Sequence, residues 1–328
     1  MTRRPSTLLV AVAAVAACLA PLVLSDQTFF VHTVLAAIIV TGLSMLMGYA
    51  GQASLGQGAF VAVGALTVAL GTTRWGLPPL VALLLAPLAA GLFATVVGRP
   101  LLRLQGHYLA FGTLALLLMV QTAMSSIDAL GGAYGVSGIP AFGIGGWTVT
   151  DQRPYAYLAL ICLAVVLWSS ARIVDSRFGR SMRALSGSET AAESAGIAVG
   201  WTKVGVFALS AAFAGVAGAV TAFFTPYVSA DSFPPLESFT YVIMAVVGGL
   251  GTIWGGVVGA VVVSVLLQVL NNVSSQPGLP PTAAPIIQYA AYGTVLIIAL
   301  LFLPRGIVPS VGSVRLRRRP GRRQAAAA

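Results

Sequence analysis

Residues 29–60 read FFVHTVLAAIIVTGLSMLMGYAGQASLGQGAF. From Phe29 to Met47 the run carries no formal charge and one imidazole, His32. A helix needs about 20 mainly apolar residues to cross a bilayer, so this run reads as a transmembrane helix. The next stretch breaks it: between Gly48 and Phe60 stand four glycines, Ser54, and the amides Gln52 and Gln57. Apolar sequence then resumes over 54–72. Non-helical backbone at bilayer depth survives only where protein or a watery cavity satisfies its polar groups, and such breaks mark substrate paths in transporters. Gly51, Gln52, Ser54, Gly56 and Gln57 are therefore candidate path residues. The competing reading is that small residues let helices pack closely.

The rest of the chain has the same character. Of 328 residues, 58% are hydrophobic and 8% charged, against roughly 25% charged in a soluble domain. Further apolar runs cover about 8–24, 79–98, 108–124, 155–171, 204–223, 239–271 and 285–303. The fold class is an all-α polytopic transmembrane bundle of about 8–10 spans with broken or re-entrant helices. The net charge of +10 is not a nucleic-acid footprint, because seven of the eighteen basic residues lie between Arg305 and Arg323 and most others fill short connections. Basic residues at span ends mark the cytoplasmic side. Arg3 and Arg4, Arg99 and Arg103, then Arg172, Arg177, Arg180, Arg183 and Lys203 fall on one side, with both termini. Only Arg74 and Arg153 fall on the other. Cys18 and Cys162 sit in apolar runs and read as packing residues.

The domain plan is a first span with a short cytoplasmic N-terminus over 1–27, a polytopic membrane domain over 28–310, and a basic tail over 311–328 near anionic headgroups. The first apolar run exceeds a signal-peptide core of about 7–15 residues and reads as a retained span. The run at 239–271 is too long for one crossing and is interrupted by Gly248, Gly249, Gly251, Gly255 and Gly256. It makes two passes or a hairpin, and Gly248, Gly249 and Gly251 join the candidate path. Glycine-rich, nearly uncharged sequence from Gly131 to Asp151 reads as an ordered external loop. His107 and Tyr108 read as interfacial residues, since a proton relay would need intramembrane acids and the apolar runs contain none.

The cytoplasmic segment 173–203 is the most informative. Ser186 followed by Glu189 fits a capping box, Ala191, Ala192 and Ala195 fall near one another on a helix, and Gly196 is a stop signal. A short capped helix with a small-residue face suits docking to another protein; the alternative is an amphipathic connector on the membrane surface. Eight acids, one lysine and no phosphate-cradling Gly-Lys loop leave no catalytic constellation and imply no cofactor or metal. The chain reads as a transport subunit rather than an enzyme.

Five stretches taken together resemble the permeases of branched-chain amino-acid ABC importers, specifically the M-type member. They are GYAGQASLGQGAF at 48–60, LLRLQGHYLA at 101–110, SRFGR at 176–180, ETAAESAG at 189–196 and VGGLGTIWG at 247–255. They keep a consistent order over about residues 30–305. The resemblance implies an ATPase-coupling role for Arg180, Glu189, Ala191, Ala192 and Gly196. It also implies a homologous second permease, two cytoplasmic ATPases, a periplasmic or lipid-anchored binding protein, and a bacterial cytoplasmic membrane. Thr190 separates Glu189 from the Ala pair, unlike the wider ABC-permease pattern, and Gln105 stands where arginine is frequent. Branched-chain or other small amino acids are the implied cargo. Urea, short amides or a sugar are the alternative within the class, and an ion-coupled secondary carrier is the alternative outside it.

Overall fold

A computed structural model of the chain describes residues 26–104, 106–144, 147–149 and 151–274, with isolated residues at 21, 293–294 and 306–308. The expected runs at 8–24 and 285–303, the tail over 311–328 and Gln105 lie outside the described residues.

The architecture is an all-α polytopic bundle. Its helices are α1 (Gln27–Ala50), α2 (Gln57–Thr73), α3 (Pro79–Leu101), α4 (His107–Ser126), α5 (Gln152–Asp175), α6 (Arg177–Gly187), α7 (Glu189–Ser194), α8 (Val199–Phe224), α9 (Pro235–Gly248) and α10 (Ile253–Ser274). Six described helices (α1, α3, α4, α5, α8 and α10) are long and apolar enough to cross a membrane. Helix α2 has 17 residues and α9 has 14.

Burial sorts the long helices into two kinds. Helices α1 and α8 are mostly buried and form the centre; α3, α4, α5 and α10 keep one face outward. On α3 the sorting has a period of four. Ala82, Ala86, Ala90, Ala94 and Gly98 are buried, while Leu84, Leu88, Leu92 and Val96 are exposed. The small stripe lets α8 approach, and a Cβ on Gly215 of α8 would collide with Ala86, Pro87 and Ala90. Helices α2 and α8 meet in the same way at Gly64, Gly215 and Gly218. Lipid tails are as apolar as leucine, so close backbone approach, not apolar burial, drives this association.

The ends of the bundle differ in chemistry. At one end lie Arg99, Leu102 and Arg103 beside Gly200, Trp201 and Lys203, with α6 and α7 nearby. The other end is made of loops. Strand β1 (Val136–Ser137) pairs antiparallel with β4 (Tyr227–Val228), and β2 (Gly143–Ile144) pairs with β3 (Trp147–Thr148). The Tyr155 hydroxyl accepts from the Phe142 amide at 3.1 Å. The expected ordered loop over 131–151 is thus tied into the fold. Arg74, one of the two charges on the unexpected side, donates to the carbonyls of Ala129 at 2.7 Å and Asp128 at 2.9 Å. Its charge serves to hold the turn that comes after α4.

The glycine-interrupted run resolves into a hairpin. Helix α9 enters from the loop end and is about 21 Å long, short of the roughly 30 Å hydrocarbon core. The chain turns at 249–252, and α10 returns to the loop end, where Gln268 donates to Asp26 at 3.4 Å. At the turn, the Gly251 amide donates to the Ser44 carbonyl at 3.4 Å, and the Ser44 hydroxyl to the Thr252 carbonyl at 3.3 Å. Ser44 lies about 27 Å along α1 from Asp26 at 1.5 Å per residue.

Candidate functional site

The break after α1 is built by hydrogen bonding. Gly51 takes φ +66°, the left-handed conformation that ends a helix, and the Gln52 amide closes back on the Leu46 carbonyl at 3.2 Å. The backbone then needs partners that a helix would have supplied, and side chains provide them. Thr113 of α4 accepts from Leu55 at 2.9 Å, Ser54 from Gly56 at 3.3 Å, and Ser238 of α9 from Gly58 at 3.1 Å. Sequence reasoning misses Thr113 and Ser238, because isolated hydroxyls in apolar runs give no local signal.

Among the amides, Gln57 is fully buried and donates from Nε2 to the Ser210 hydroxyl of α8 at 3.0 Å. Gln52 is 5% exposed, and neither its Nε2 nor its Oε1 has a partner among the described residues. Ser54 and Gly56 are buried and Gly51 is exposed. In the second candidate stretch, Gly248 packs against Gly255 and Gly259 of α10, Gly251 against Gly48 of α1, and Gly249 is buried at the turn. The two breaks therefore meet at the Gly48–Gly251 contact. Close helix approach accounts for Gly248 directly.

At the basic end, SRFGR has a legible job. Ser176 caps α6, accepting from the Gly179 amide at 3.3 Å and donating to Ile173 at 2.6 Å. Phe178 lies over Gly205 of α8, and a Cβ on Gly179 would strike the carbonyls of Ile173 and Val174. Arg180 is exposed and reaches the Ser176 carbonyl at 3.4 Å. Met182 and Leu185 bury the other face of α6.

The cap of α7 differs from the expected one. Ser186 lies inside α6 and donates to the Arg183 carbonyl at 3.0 Å; Ser188 is the cap, accepting from Ala191 at 3.3 Å. The buried face of α6 extends that helix past Ser186, so Glu189 becomes the first residue of α7 and no capping box forms there. Gly196, at φ +79°, ends the segment as expected. The alanines divide: Ala191 and Ala195 are exposed, whereas Ala192 is 2% exposed and packs inside the chain. Glu189 makes a contact that its neighbourhood in sequence does not suggest. Lys203 Nζ of α8 lies 2.7 Å from each carboxylate oxygen. The Lys203 side chain is 11% exposed and that of Glu189 46%. Short α7 is thereby tied by charge to a helix that runs the length of the bundle.

A multi-pass helical bundle with two membrane breaks and an anchored helix projecting at its basic end is the form of a membrane transport subunit. The chain belongs to the family described as the permease component of branched-chain amino acid transport systems, which matches residues 27–303. It is 30% identical over 301 residues to the high-affinity branched-chain amino acid transport system permease protein LivM of Salmonella typhimurium, covering 84% of this chain and 68% of that one. It is 29% identical over 301 residues to the protein of the same name in Escherichia coli K12, with the same coverage. A probable branched-chain amino acid transport permease protein LivM of Methanocaldococcus jannaschii is 27% identical over 319 residues, covering 83% of this chain and 90% of its own length. The chain is thus an ABC-importer permease.

Proposed function

We propose that this permease carries branched-chain or other small amino acids across a bacterial cytoplasmic membrane, with its basic end facing the cytoplasm. In this reading it pairs with a homologous second permease, receives solute from a periplasmic or lipid-anchored binding protein, and is driven by two cytoplasmic ATPases that hydrolyse the ATP. The membrane domain spans 28–310 with its coupling segment at 173–203. Residues 1–27 and the basic stretch over 311–328 flank it in sequence.

The observation that carries the coupling role is the build of α7. It projects Ala191 and Ala195 outward, while Glu189 is held to α8 by Lys203. Small side chains admit a close partner surface, and the ion pair offers a route from that surface into the bundle. Arg180 and Gly196 flank the docking face, and Ala192 supports it from beneath. The inner constriction of the path is assigned to the meeting breaks: Gly51, Gln52, Ser54, Gly56 and Gln57 with Gly248, Gly249 and Gly251.

The test is Ala191→Arg. A bulky cation at an exposed site leaves folding and insertion intact but blocks docking, so ATP-dependent uptake should fall by more than 90%, about the tenfold loss worth 1.4 kcal/mol. Wild-type uptake by that variant rejects the docking role.

A further inference from the structure

The bundle holds a cavity of about 390 Å³ that none of the candidate path residues lines. It lies between α1, α9 and α10, near the loop end of α8. Its volume falls at the small end of the range for ligand pockets. The polar part of its wall includes His32, Glu237, Thr240, Tyr241, Gln268 and Asn271. The apolar part includes Leu35, Ile39, Val61, Met244 and Leu267.

The charge of this wall is one-sided. Glu237 lies in the first turn of α9 and accepts from the Tyr241 hydroxyl at 3.2 Å. A second carboxylate, Asp26, stands beside the wall through its contact with Gln268 at 3.4 Å. Among the described residues, no lysine or arginine lines the cavity and Glu237 forms no salt bridge. A carboxylate accepts at about four lone-pair positions, and the tyrosine uses one. A ligand for this site therefore carries a compact cation able to donate several hydrogen bonds, joined to an apolar body. Gln268, which gives one Nε2 hydrogen to Asp26, keeps a second N–H donor for an anionic group on the same ligand.

We propose that this cavity is an outward-side station for a zwitterionic aliphatic amino acid. Glu237 takes the α-ammonium group, and the side chain rests on Leu35, Ile39, Met244 and Leu267. The assignment rests on the importer reading and adds to it a specificity-determining residue.

The experiment uses the complete complex, with its binding protein, in liposomes and L-leucine as the probe. Glu237→Gln keeps shape and removes charge. It should lower leucine transported per ATP about 10- to 30-fold, the scale of one charge-assisted hydrogen bond, while ATPase activity stimulated by the binding protein stays within twofold. Unchanged leucine per ATP overturns the station and leaves the importer reading standing. If the glutamine variant loses its ATPase as well, Leu267→Trp decides. Narrowing the apolar wall should reduce leucine uptake at least tenfold more than alanine uptake, and equal loss of both overturns the proposal. Failure of the wild-type complex to accumulate any amino acid removes the importer reading itself.

Discussion

Replacing Glu189 with glutamine removes one charge from the pair that ties α7 to α8. Nζ of Lys203 sits 2.7 Å from both carboxylate oxygens, with the lysine side chain 11% and the glutamate side chain 46% exposed. Exposed pairs are worth about 0.2–1 kcal/mol, and breaking a fully buried pair costs about 3–5 kcal/mol. A pair buried at one end belongs between them, at about 2 kcal/mol, or roughly 30-fold in an equilibrium constant. Lys203→Met removes the other charge while keeping much of the apolar stem. A double-mutant cycle over Glu189→Gln, Lys203→Met and the double variant isolates the interaction. Two readouts apply: thermal stability in detergent and solute moved per ATP in the reconstituted complex. Stability should show coupling of about 2 kcal/mol, and each single variant should hydrolyse ATP with a transport yield at least about fivefold lower. A coupling energy below about 0.5 kcal/mol, or a full transport yield in both single variants, refutes the tie.

Buried groups lead to two further expected outcomes. Gln52→Leu removes an amide that is 5% exposed and unpaired among the described residues; stability should rise by about 1–3 kcal/mol while uptake falls, and a rise in stability with normal uptake makes Gln52 a packing residue. Gly218→Val places a side chain against the Val61 carbonyl and the Ala65 amide, costing more than about 3 kcal/mol. The yield of folded protein should collapse in that variant. By contrast, Gly187→Ala, where nothing lies within 4 Å, should behave as wild type.

Much of this molecule is legible in its sequence because the bilayer is a strict solvent. Run lengths locate the long helices to within a few residues, as with 155–171 against Gln152–Asp175. Glycine density marks both membrane breaks, and Gly196 marks the end of α7. Sequence does not decide between two passes and a hairpin at 239–271, because that choice depends on Ser44 of α1 receiving the turn. It misplaces the α7 cap because Ser186 and Ser188 are chemically alike, and only the buried Met182–Leu185 face of α6 selects between them. The Glu189–Lys203 pair crosses a turn between two helices, outside any local periodicity. Glu237 and Gln268 meet at one cavity only after the hairpin folds, so neither is conspicuous in the chain.

The most direct test of the docking role is photo-crosslinking from position 193, exposed beside the Ala191 and Ala195 face, with a benzophenone side chain in place of the glutamate, in native membranes. The docking role predicts an adduct with a nucleotide-hydrolysing subunit, identified by mass spectrometry, and its loss in the Ala191→Arg background. Adducts with lipid alone, in cells that actively take up the solute, would contradict it.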